Sequence, residues 1–139
     1  MRKQRGVAVI ELAILLVPLI ILTFGMTELG RAVHYYNGIV SSTRAAARYL
    51  STVPEGQGED GARCVAVYGN PGCSGTPLVP GLTTGMVQIR YQHGVEAGPG
   101  TVEMVRVTVE GYPFRSMVPF VVRDMTFASI GTSMRQPVA

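Results

Sequence analysis

Residues 7–25 read VAVIELAILLVPLIILTFG, and a single ionisable side chain, Glu11, stands among them. At about 1.5 Å per residue, a helix over this run is about 28 Å long, close to the hydrocarbon thickness of a bilayer. Arg2, Lys3 and Arg5 precede it. Lys and Arg stay on the cytoplasmic side of a membrane helix, so the N-terminus is expected inside and the remainder exported. Pro18 removes one backbone hydrogen bond and should kink the helix, a defect that membrane neighbours can repair.

Three readings compete for this run. A cleaved secretory signal needs small residues before its cut, and Thr23-Phe24-Gly25 is a poor version of that. An ordinary signal anchor leaves Glu11 incidental. The third reading makes Glu11 the point. A carboxylate in a membrane helix costs roughly 2.5–3.5 kcal/mol near the centre and less towards the edge, so such groups usually have a partner. A cut after Gly6 would give Val7 a new α-ammonium group, one helical turn from Glu11. The amine of one subunit can then meet the carboxylate of a neighbour, each offsetting the other's desolvation.

Working outward, the chain has 139 residues, room for one modest domain. Charged residues make up only 15%, and the net charge of +3 belongs to the first six positions, since nine basic and nine acidic side chains remain beyond them. That even balance offers no basic patch for a phosphate backbone, so nucleic-acid binding is excluded.

Past the membrane run the helix is expected to continue as an amphipathic extension over 28–53. Leu29, Val33, Tyr36, Val40, Thr43, Ala47 and Leu50 alternate by four and three and form one stripe. The stripe suits the domain's own core, a seam between subunits, or both, with the upper helix on neighbours and the lower on its own sheet. Glu28 and Arg31 are spaced to pair on the surface, and Arg44 and Arg48, of like charge, call for acidic partners. Pro54 and the Gly-rich run 55–61 end the helix.

Residues 54–139 read as an exported globular domain, with a loop over 54–85 and a sheet over 86–135. So small a core needs fastening. Cys64 and Cys73 flank the turn Asn70-Pro71-Gly72, and a disulfide there fits an oxidising compartment, the alternatives being a metal pair or a reactive thiol. Val87, Ile89 and Tyr91 alternate with polar residues as one strand, and Val105, Val107 and Val109 as a second. Residues 93–100 read as a turn region, Tyr112-Pro113-Phe114 as the end of the second strand, and 120–134 as holding a third. The expected class is α+β: a long N-terminal helix over a small antiparallel sheet of three or four strands.

Chemistry is sparse. His34 and His93 stand alone, without the spacing of a metal or catalytic set. The carboxylates at 55, 59 and 60 lack EF-hand spacing and read as a solvated loop. No catalytic residue, metal, cofactor or small-molecule substrate is expected, and the chain reads as no enzyme.

Gly6 followed by four apolar residues and Glu11 resembles the type IV prepilin cleavage motif. The string Arg5-Gly6-Val7-Ala8-Val9-Ile10-Glu11-Leu12-Ala13 is similar, more narrowly, to the TadE-like pseudopilins of the tight-adherence (Flp) pilus system. Pro18, then Glu28-Leu29-Gly30-Arg31, then Thr43-Arg44-Ala45-Ala46-Ala47-Arg48-Tyr49 continue the likeness. Val107-Thr108-Val109, Tyr112-Pro113-Phe114 and Ser133-Met134-Arg135 resume it near the C-terminus.

The resemblance implies a pilin-like fold and a basic prepilin-type leader over 1–6. It implies a cut between Gly6 and Val7 by a membrane-embedded prepilin peptidase, and a single transmembrane helix over 7–27. It also implies a place in the bacterial inner membrane, with the C-terminal domain in the periplasm or outside, or incorporated into the pilus. The partners it implies are other pilins or pseudopilins and the inner-membrane pilus assembly platform. The role is that of a minor pilin needed for pilus assembly, supporting attachment and biofilm formation. The runner-up is a membrane-anchored binding module for a polysaccharide or protein.

Overall fold

The computed structural model describes residues 4–136, with side chains from Gly6 onward. The leader positions Arg2 and Lys3, and the side chain of Arg5, lie outside the described residues. The first element, α1, spans Gln4–Leu50 and runs unbroken through Pro18. Leu, Ile and Val dominate its first half, and residues 6–24 are exposed and project away from the rest of the chain. Two hydroxyls in it are satisfied internally: Thr23 Oγ1 donates to the Leu19 carbonyl (2.8 Å) and Thr27 Oγ1 to that of Thr23 (2.6 Å). A helix surrounded by lipid needs that closure of polar groups.

The lower half of α1 lies on an antiparallel sheet of order β1-β2-β5, with β1 at Val87–Ala97, β2 at Gly100–Val109 and β5 at Ile130–Arg135. A second pair joins β3, Pro113–Phe114, to β4, Met125–Thr126. This is the expected α+β class. Central strand β2 points Val105, Val107 and Val109 at Ile39, Ala46, Ala47 and Leu50 of α1. Burying a branched side chain of this kind contributes about 1.5–3 kcal/mol, and the paired alanines let helix and sheet approach closely.

Segment 54–85 is not all loop. It contains a ten-residue helix, α2, at Glu59–Tyr68. Glycine hid it, yet glycine also builds it. Gly58 (φ 72°) and Gly69 (φ 77°) bracket α2 in the left-handed region. Gly61 sits where a Cβ would fall 2.9 Å from the Tyr49 hydroxyl, so the Tyr49 ring takes the space that a side chain on α2 would fill. Glu59 and Asp60 suit the positive end of the helix dipole, and Ala62, Val65 and Ala66 bury one face.

Three further expectations are corrected. α1 ends at Leu50, and Thr52 and Val53 close a final turn before Pro54. The turn expected over 93–100 is mostly strand. The β1–β2 register shifts between Gln92 and Val95, Gly94 takes φ 62°, and pairing resumes to Ala97 before a tight turn at Gly98-Pro99. Glu103 holds this bulge, taking hydrogen bonds from Gly94 N (3.2 Å) and His93 Nδ1 (2.6 Å). The third strand is only Ile130–Arg135. Residues 115–124 form instead a loop that turns back beside α1, with Met117 and Phe120 pointing away from the core.

Candidate assembly site

The apolar half of α1 positions the residues singled out from the sequence. Glu11 lies one turn beyond Val7 on the same helix, and both are exposed. Among the described residues Glu11 makes no ion pair, whereas Thr23 and Thr27 on the same run bond to their own helix. Among the described residues, apart from the surrounding backbone of its own helix, no atom comes within 4 Å of where a Cβ at Gly6 would sit. A protease meeting this peptide encounters no obstruction from the folded domain. In the uncut chain Val7 N is a helical peptide nitrogen, because α1 begins at Gln4. The ammonium that would face Glu11 exists only after cleavage.

Below this run the seven-residue stripe divides. Leu29, Val33 and Tyr36 are exposed, Val40 is half-buried, and Thr43, Ala47 and Leu50 are buried. The upper turns bury another face, formed by Glu28, Tyr35 and Ile39. The stripe therefore serves the fold mainly in its lower part: Leu29 and Val33 are left for contacts outside the chain, while Tyr36 sets its ring edge-on to Phe127 at 6.1 Å and keeps an exposed flank. Arg44 and Arg48 are exposed, with no acidic partner among the described residues.

Glu28 and Arg31 do pair, but not on the surface. Glu28 is only 4% exposed. Its Oε2 accepts from Arg31 Nη2 (2.9 Å) and from Met117 N (3.2 Å), while Arg31 also donates to the Arg115 carbonyl. The Arg31 guanidinium stacks 5.0 Å above the Phe114 ring centroid. Phe114 stacks on Phe127, which meets Tyr112 at 5.5 Å. Burial pushes the Tyr112 phenol above its ordinary pKa, nearby Tyr35 adding and Arg31 opposing. The Tyr112 hydroxyl donates to the Pro80 carbonyl (2.7 Å). An acidic residue three before an arginine, just past an apolar run, was the available signal for this latch. Its distant partners at 115 and 117 have no sequence signature.

Cys64 on α2 and Cys73 after the turn form a disulfide, with Cα atoms 4.7 Å apart. Asn70 shapes the intervening turn: its Oδ1 accepts from Ser74 N (3.2 Å) and its Nδ2 donates to Ser74 O (2.7 Å). His34 is exposed on α1. His93 lies between Glu103 (2.6 Å) and Glu55 (3.3 Å) on the open surface. Among the described residues no three His, Cys, Asp or Glu side chains gather as a metal site.

Comparison with curated proteins and with solved structures yields no match to this chain. A family model does match, over residues 6–48, under the description TadE-like protein. That stretch starts at Gly6, includes Glu11, Glu28, Arg31 and Arg44, and ends two residues before α1 does. The C-terminal strings around Val107 and Ser133 lie beyond it. Over residues 6–48 the N-terminal helix of this chain is similar to the TadE-like family, as the residues from Arg5 to Tyr49 lead one to expect.

Proposed function

We propose that the protein is a non-enzymatic minor pilin or pseudopilin that assists assembly of a tight-adherence (Flp) pilus, and through it attachment and biofilm formation. One observation carries this reading. The TadE-like stretch coincides with a helix that leaves the folded domain bare, apolar, and marked by one carboxylate one turn after a Gly-Val bond. Residues 7–27 cross the inner membrane, with the leader inside and the domain in the periplasm or outside. The prepilin peptidase cuts after Gly6. The Val7 ammonium of one subunit then meets Glu11 of a neighbouring pilin or pseudopilin on the assembly platform, and the pair sets the stagger between helices. The exposed upper stripe, Leu29, Val33 and Tyr36, continues that contact outside the bilayer.

Two variants test it in cells that make the pilus. Gly6→Leu should keep its leader, because the peptidase site admits only a small residue there; normal trimming contradicts the motif. Glu11→Ala should be trimmed yet assemble poorly. Unchanged piliation would remove the charge pair while leaving the family assignment in place.

A further inference from the structure

The loop 115–124 carries the two most exposed large apolar side chains among the described residues, although it belongs to the polar, exported part of the chain. Phe120 is 82% exposed and Met117 76%. The loop is nonetheless well fastened. Val118 O accepts from both Val121 N (2.9 Å) and Val122 N (3.0 Å), making a single helical turn. Asp124 Oδ1 closes the base by accepting from Ser116 N (2.8 Å). Glu28 takes Met117 N, and Val121 Cγ1 lies 3.6 Å from the position of a Cβ on Gly25. The loop is thus fixed at the level of residues 25–28 on α1, where the apolar run ends. Phe24 and Met26, on either side of Gly25, are exposed as well.

We infer that the loop 115–124 is a membrane-interface anchor that inserts Phe120 and Met117 into the outer, non-cytoplasmic leaflet beside the transmembrane helix. Three features favour phospholipid over a protein partner. The patch continues a surface already apolar enough to sit in lipid. The backbone N–H groups of Ser116, Met117, Val118, Val121 and Val122 are hydrogen-bonded within the protein, which lowers the cost of placing them at an interface. Arg115 and Arg123 flank the tip and are exposed, set to meet headgroup phosphates, while the adjacent Asp124 carboxylate is engaged in closing the loop. The consequence is geometric. With two points of contact, the helix and the loop, the domain cannot swivel about α1, and the latch at Glu28 fixes the tilt at which the domain meets its neighbours.

The inference rests on the membrane-spanning reading of residues 7–27, so its test separates the two. The chain contains no Trp. Phe120→Trp, Leu15→Trp and Thr101→Trp therefore each give a single tryptophan, excited selectively at wavelengths where the six tyrosines do not absorb. The full chain is reconstituted into vesicles of phosphatidylethanolamine and phosphatidylglycerol, without bromine or with acyl chains brominated either near the headgroup or, to reach Leu15→Trp, near the chain end. Leu15→Trp reports the spanning helix and Thr101→Trp the far end of the sheet. The expected result is blue-shifted emission from Phe120→Trp, quenched about twofold or more by the shallow bromines, with Thr101→Trp unaffected. Water-like, unquenched emission from Phe120→Trp beside a quenched Leu15→Trp overturns the anchor and leaves the spanning helix standing. Blue-shifted but unquenched emission that varies with protein-to-lipid ratio points to a second copy on the loop, and also overturns it. Absence of quenching at both positions overturns the spanning helix and the anchor together. Circular dichroism of each variant confirms the fold.

Discussion

Glu28 and Arg31 meet at 2.9 Å inside the protein, and their contact joins the helix to a loop nearly ninety residues away, because Glu28 also receives Met117 N. Arg31 answers from the other side through the Arg115 carbonyl. The pair is less an ornament of the helix surface than the hinge pin between the membrane-proximal turn of α1 and the loop 115–124.

Removing the pin should be costly. Glu28→Ala leaves Met117 N and a largely buried guanidinium without their acceptor, and is expected to lower stability by about 2–3 kcal/mol. Glu28→Gln, which keeps an acceptor oxygen, should lose less. Denaturant titration in detergent measures both, and amide exchange at Met117 should accelerate in each. Wild-type midpoints in the alanine variant would contradict the latch.

Gly38 is where the chain segment at Val79 crosses α1. A Cβ there would fall 2.8 Å from Val79 Cγ2. Gly38→Ala should destabilise by about 1–3 kcal/mol despite alanine's better helix propensity. Combined with Val79→Ala, the loss should be less than additive. At Gly30, among the described residues and apart from the surrounding helix backbone, no atom lies within 4 Å of where a Cβ would sit, so Gly30→Ala should be neutral or mildly stabilising by the same denaturant titration.

The disulfide closes a loop across Asn70-Pro71-Gly72. On the chain-entropy argument, Cys64→Ser with Cys73→Ser should cost about 3 kcal/mol, seen as an earlier unfolding midpoint under oxidising conditions and as no further loss on adding reductant. Equal midpoints for oxidised wild type and the double variant would contradict a stabilising bridge.

Alkaline pH probes the aromatic cluster. Burial raises the Tyr112 phenol, and burial likewise raises that of Tyr91, with Glu59 and Glu55 close by. A raised folded-state pKa means the unfolded chain ionises first. Stability is constant below the ordinary phenol value of about 10 and falls as pH rises from there through the folded-state pKa. Tyr112→Phe should lose about 1 kcal/mol at neutral pH, for the bond to Pro80 O, yet show a flatter alkaline decline. An equally steep decline would show that Tyr112 is not one of the groups responsible.

The helix, the class and the two long strands were legible because each carries a period. The apolar run at 7–25 reads only as a helix, and Val105, Val107 and Val109 only as a half-buried strand. α2 was hidden because Gly58, Gly61 and Gly69 read locally as loop, whereas the close approach of Tyr49 to Gly61 is a tertiary fact. The stripe from Leu29 to Leu50 was correct in spacing, but only its lower turns face the sheet. The upper turns rotate Glu28, Tyr35 and Ile39 inward because Phe114 and the loop 115–124 cover that side. Such long-range partners leave no trace in the spacing of either segment.

The most direct measurement is the intact mass and N-terminal sequence of the protein extracted from membranes of cells with an active prepilin peptidase. A mature chain beginning at Val7, four residues before Glu11, is the predicted result. A chain that keeps Met1 through Gly6 in those cells would contradict the proposal, for then no ammonium is created to meet the acid within the membrane.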